Sequence, residues 1–137
     1  MIHFPSLNNI AILVSGIILW ILGAIWYSPP LFAKPWMELA GAKREPGKKD
    51  GLLLGMVASF IGDLVLSFIL ACIIAWSHQT GFKYGCVIGV LMWIGFFAAP
   101  NVPQGLYEKK PFKLFAINGG YWLVGLFIVG GLLASWR

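Results

Sequence analysis

The chain has 137 residues, 59% of them hydrophobic and only 11% charged, at a mean hydropathy of +0.82. A soluble domain carries roughly 25% charged residues, and a disordered chain needs still more polarity, so both classes are excluded. The formal charge of +5 would suit nucleic acid by sign, but its placement follows membrane topology and leaves no basic–aromatic face, so no nucleic-acid partner is expected.

Four apolar stretches each approach the ~20 residues that a helix needs to cross ~30 Å of hydrocarbon. The first, residues 9–27, is uncharged. No Lys or Arg precedes it and no small-x-small cleavage site follows, so it is expected to be retained rather than cleaved as a signal peptide. Beyond it, Pro35 opens a segment with Trp36, Met37, Leu39 and Ala40. This predicts a short helix over 35–42 lying along the membrane surface, with Glu38 in its first turn. The second stretch, 52–76, has one charge, Asp63; the third, 82–99, has Lys83 at its edge and an exit at Pro100. The fourth, 114–136, carries Asn118 as its only strongly polar side chain. Runs of this length exceed a barrel strand of roughly ten residues, and lipid then leaves only helices. The expected fold is an all-α integral membrane protein: one domain of four antiparallel transmembrane helices, built as two hairpins.

Loop 28–51 holds Lys34, Lys43, Arg44, Lys48 and Lys49, and loop 100–113 holds Lys109, Lys110 and Lys113. Only Lys83 and Arg137 lie on the opposite side. This asymmetry places both basic loops in the cytoplasm and both termini outside. Trp26, Tyr27, Trp36 and Tyr107 then read as anchors at the cytoplasmic interface, with Trp76, Tyr84 and Trp136 at the outer one. A faint parallel repeat supports the two hairpins. Gly16 and Trp20 of span one recur as Gly89 and Trp93 of span three, and spans two and four both end in Trp, at Trp76 and Trp136.

Steps of four along span two give Gly51, Gly55, Ser59, Asp63, Ser67, Ala71 and Ala75, all small or polar. Such a row lies on one helix surface and lets another backbone approach closely. Asp63 therefore points into the bundle or into an oligomer interface, at mid-depth, where a carboxylate costs at least ~2.5–3.5 kcal/mol on insertion scales. Two readings stand: a proton-responsive or cation-contacting group, and a neutral carboxyl bonded to a neighbouring helix. Gly81, Gly85 and Gly89 at the start of span three read as a packing zipper, and Asn118 reads as a bond across helices.

The remaining motifs argue against catalysis. The string from Gly41 to Lys49 has the wrong spacing for a P-loop and lacks its Ser or Thr. No nucleophile elbow, His-Glu-x-x-His, CxxC or paired carboxylates occur. His3 and His78 lack a third ligand, so neither a metal nor another cofactor is expected. Cys72 and Cys86 fall at similar depth, with their facing open.

The stretch from Gly23 through Trp26-Tyr27-Ser28-Pro29 to Phe32, with Trp36 beyond, resembles small bacterial four-span proteins of domain-of-unknown-function family 1761. Gly81-Phe82…Gly85…Gly89 and Tyr107-Glu108…Pro111…Leu114-Phe115…Asn118-Gly119-Gly120-Tyr121 are similar to the same family. The resemblance implies four helices in a bacterial cytoplasmic membrane, and no reaction or ligand. The expected function is that of a non-enzymatic packing or accessory protein, with the bilayer and either a second copy or a larger membrane complex as partners. The alternative is a small oligomeric transporter or channel for a proton, cation or small amphiphile using Asp63. A lipid-modifying membrane enzyme comes third.

Overall fold

The computed structural model describes residues 5–28, 30–40 and 50–136. Helix α1, Asn9–Trp26, begins where the Asn8 carboxamide accepts the N–H groups of Ile10 and Ala11, at 3.1 and 3.2 Å. Short α2, Ala33–Ala40, follows, and α3 runs from Asp50 to Ser77. Then α4, Phe82–Met92, passes through a π-helical segment, Trp93–Ala98, straight into α5, Ala99–Tyr107. The last helix, α6, is Phe112–Ser135. Four helical stretches are long and apolar enough to cross a membrane: α1, α3, the continuous Phe82–Tyr107 and α6.

Glycine decides how closely the helices meet. A Cβ on Gly85 or on Gly130 would collide with the other's backbone, and one on Gly89 would collide with the Leu126 carbonyl, so α4 and α6 lie backbone to backbone. In the first hairpin Gly16 of α1 meets Leu64 of α3. Gly125 of α6 receives Leu19, and Gly120 receives the Trp26 ring, which joins the hairpins through α1 and α6. These pairings run in opposite directions along the chain, so the partners are antiparallel. Leu19, Leu70, Ile74, Leu126, Val129 and Leu133 fill the core between them.

The repeat has a physical counterpart. Four residues after its packing glycine, each Trp donates its indole N–H to the partner helix: Trp20 to the Met56 carbonyl at 3.2 Å, Trp93 to the Gly119 carbonyl at 2.9 Å. The terminal Trp residues are not part of this match. Trp76 lies 20 residues beyond Met56, whereas Trp136 lies 17 beyond Gly119. The second hairpin is closed along its length, while the first opens: Leu53, Leu54, Val57 and Ile61 are exposed, as are Gly55, Ser59 and Gly62. Because α3 and α4 barely touch, a seam is left between them.

Several boundaries differ from expectation. The helix of span three does not end at Pro100 but runs on to Tyr107, so the expected loop 100–113 shrinks to residues 108–111. The Ala99 N–H reaches back five residues to the Ile94 carbonyl, and this wide turn gives room for a proline ring that would press on an α-helical carbonyl. Helix α2 starts two residues before Pro35, so Glu38 is not in its first turn. Of the span-two row, Asp63, Ser67, Ala71 and Ala75 are buried, but Gly55 and Ser59 face open space because α3 leaves the bundle there. The surroundings of Gly51, and the stretch 41–49 with Lys43, Arg44, Lys48 and Lys49, lie outside the described residues, as does His3. A Cβ on Gly81 would meet nothing: the residue's φ of +107° turns the chain into α4, and its N–H donates to the Ala134 carbonyl. That conformation favours glycine.

Candidate functional site

The bundle holds two polar clusters. At mid-depth, Ser15 of α1 and Asp63 and Ser67 of α3 are the buried polar residues among those described. Asp63 is 4% exposed. Its side chain makes no hydrogen bond or ion pair among the described residues: Ser67 Oγ donates to the Asp63 backbone carbonyl at 2.8 Å, not to the carboxyl. The Ser15 hydroxyl is equally without a partner. Nearby on α6, Tyr121 donates its phenol to the Leu19 carbonyl at 2.7 Å. Of the two serines that flank Asp63 on the row, Ser67 is buried in the bundle beside it and Ser59 is exposed.

The second cluster surrounds the first turns of α6, at the end that carries the loops. Aromatic donors converge on it from both sides. Trp26 Nε1 donates to the Ile117 carbonyl at 2.9 Å, the Tyr27 phenol to Asn118 Oδ1 at 2.6 Å, and Trp93 Nε1 to the Gly119 carbonyl at 2.9 Å. Tyr27 sets its ring edge-on to Trp36 at 5.6 Å and to Tyr121 at 5.8 Å. Gly119 and Gly120 make room, since a Cβ there would press on the Phe97 and Trp26 rings. Trp26 and Tyr27 thus spend their polar atoms on protein, as a half-buried indole or phenol does when an acceptor is within reach, while Trp36 offers Tyr27 a ring contact. Trp76 and Trp136 are exposed at the opposite end.

Asn118 divides two cavities. One, of about 300 Å³, is walled by Tyr27, Ala33, Trp36 and Met37. The other, of about 240 Å³, lies beneath α5 against Phe97, Asn101, Phe112 and Phe115. At its rim Gln104 Nε2 donates to Glu108 Oε1 at 3.0 Å, and Lys110 Nζ lies 3.5 Å from Glu108 Oε2. The Gln104 hydrogen bond, helped by the Lys110 charge, holds the Glu108 carboxyl below its ordinary range. A third space, an apolar groove of about 550 Å³, follows the seam between α3, the π-helical segment and α6. Cys72 and Cys86 are buried free thiols.

Sequence reasoning missed three members of these clusters. Tyr121 carried a usable signal, because a phenol in mid-span needs a buried acceptor. Ser15 sits unmarked in an apolar run, and Asn101 fell in what reads as a loop.

A family model described as a protein of unknown function, DUF1761, matches residues 10–134, and the chain belongs to that family. No curated protein and no solved structure matches it. Two of the segments that carried the resemblance are one another's partners, Gly23 lying against Tyr121 and Trp26 and Tyr27 against Ile117 and Asn118, while Gly85 and Gly89 of the other meet α6 further along, at Gly130 and Leu126.

Proposed function

We propose that this member of the DUF1761 family acts as a non-enzymatic, self-associating membrane protein whose copies meet along α3. One observation carries the reading. Gly55, Ala58, Ser59 and Gly62 form a smooth stripe on the open half of α3, and a Cβ on Gly55 or Gly62 would meet nothing. Small residues cost helix propensity and contribute little contact with lipid, but they let a second backbone approach. The same face continues into the apolar seam, so a second copy's α3 has both a groove and a smooth track, and a two-fold contact is self-complementary. The test is oxidative crosslinking in membranes of an Ala58→Cys variant in a Cys72→Ala, Cys86→Ala background. Dimers are expected for Ala58→Cys and not for Leu91→Cys, on exposed α4. Monomers for both, with single-step photobleaching of the labelled protein, would remove this reading.

A second reading, a small oligomeric transporter or channel for a proton, cation or small amphiphile, is favoured by the unpartnered carboxyl of Asp63. An intramembrane acid is a functional candidate by default. Asp63→Asn keeps shape and bonding capacity while removing ionisation, so flux lost with an intact fold would support this reading. Infrared absorption of the wild type minus Asp63→Asn, showing a carboxyl protonated throughout about pH 5–9, against an ordinary Asp value near ~3.9, would count against proton cycling.

A further inference from the structure

The cavity beneath α5 has chemistry that the self-association reading leaves unused. Its floor is aromatic: Phe97 stacks on Trp93 at 6.1 Å and 17°, and Phe115 lies 5.9 Å from Phe97 and 5.6 Å from Phe112. Three carboxamides border it: Gln104 at the rim donates to Glu108, while Asn101 and Asn118 are each half used. Asn101 Nδ2 donates to the Phe97 carbonyl at 2.7 Å, which leaves its Oδ1 as an unmatched acceptor among the described residues. Asn118 Oδ1 accepts the Tyr27 phenol, which leaves its Nδ2 as an unmatched donor. The charged residues on the rim, Glu108 and Lys110, are paired with each other, so no free charge remains there to attract an ion. The π-helical segment forms the wall behind Phe97, and wide turns of this kind recur where helices build sites.

From this arrangement we infer that the cavity binds a small, planar, uncharged molecule with an aromatic body and a carboxamide-like head. The head's carbonyl accepts from Asn118 Nδ2, its N–H donates to Asn101 Oδ1, and its ring lies on the Phe97–Phe115 floor. A volume of about 240 Å³ admits a single ring, below the ~300–1,000 Å³ of sites for larger ligands. Paired complementary hydrogen bonds discriminate well, because an analogue lacking either leaves a polar group unmet. The site does not depend on a second copy of the chain.

The probe is 4-fluorobenzamide, followed by fluorine NMR with the full chain in lipid nanodiscs and empty nanodiscs as the reference. Saturable binding is expected, with 4-fluorobenzoate and 4-fluorotoluene at least about tenfold weaker. Asn101→Leu should weaken it roughly fivefold or more, the loss of one hydrogen bond. Val102→Trp, a change on the cavity wall that removes no side-chain hydrogen bond, should abolish it. Should Asn101→Leu not fold, Val102→Trp decides. No saturable binding above empty nanodiscs, equal binding of the three probes, or full affinity in either folded variant would overturn the inference.

Discussion

Tyr121 shows how one side chain ties two helices, α6 to α1. Its phenol reaches across from α6 to the Leu19 carbonyl, its ring meets Tyr27, and its oxygen is what a Cβ on Gly23 would touch. Tyr121→Phe should lower stability by about 0.5–1.5 kcal/mol, the scale of a hydrogen bond between membrane helices, measured by reversible unfolding in mixed micelles. Glycines separate by the same logic. Gly85→Ala forces a Cβ into the Gly130 backbone, which cannot rotate away, so a loss of about 1–3 kcal/mol or more is expected. Gly55→Ala meets open space and should leave the fold unchanged or gain up to about 1 kcal/mol of helix propensity. This contrast was only partly legible in the sequence. A four-residue row of small side chains states that another backbone could approach, not which one does, so the burial of Asp63 and Ser67 inside the bundle and the exposure of Gly55 and Ser59 could not be told apart. The polarity of Asn118 was visible in its span, but its partner Tyr27, 91 positions earlier, was not.

Among the elements, the passage from α4 to α5 departs most from expectation. A proline in a basic segment reads as an exit, and composition alone cannot tell a helix that ends from one that widens by a residue and continues. The other spans were legible to within two residues at either end, because hydrocarbon thickness fixes the length of an apolar run. Helix α5 carries its own pH-dependent clasp, Gln104–Glu108–Lys110. The Glu108 carboxyl is held below the ordinary glutamate value of 4.5, so the clasp is intact above that value and is lost as the pH falls through the depressed one. Carbon-detected NMR of Glu108 should give a midpoint under 4.5, and Gln104→Ala should move it upward. A wild-type midpoint at or above 4.5 would contradict the clasp.

For the whole molecule, two antiparallel hairpins joined through α1 and α6 put both ends of the described chain on one side and the residue 108–111 turn on the other. The excess of basic residues in the loops predicts cytoplasmic loops, so a cytoplasm-active reporter fused after residue 137 should be silent and an exported one active. The two-hairpin plan was legible from four runs and a glycine–tryptophan echo. The opening of the first hairpin was not, since it depends on where α3 leaves its neighbours. The prolines of α5 have one more consequence, for where water begins. Pro103 withholds the donor that the Ala99 carbonyl would receive in an α-helix, and Pro100 and Pro103 are both exposed rather than covered by protein. A carbonyl without its helical donor is costly in hydrocarbon, which predicts a membrane boundary near Ala99. The stretch from Phe82 to Ala98 then covers about 25 Å, close to the hydrocarbon thickness. A spin label at Val102 should be relaxed by a water-soluble nickel complex and one at Leu91 by oxygen; the reverse would put the prolines in lipid. With the waterline at this level, the space beneath α5 opens to solution, and a solute arriving there need never enter the bilayer.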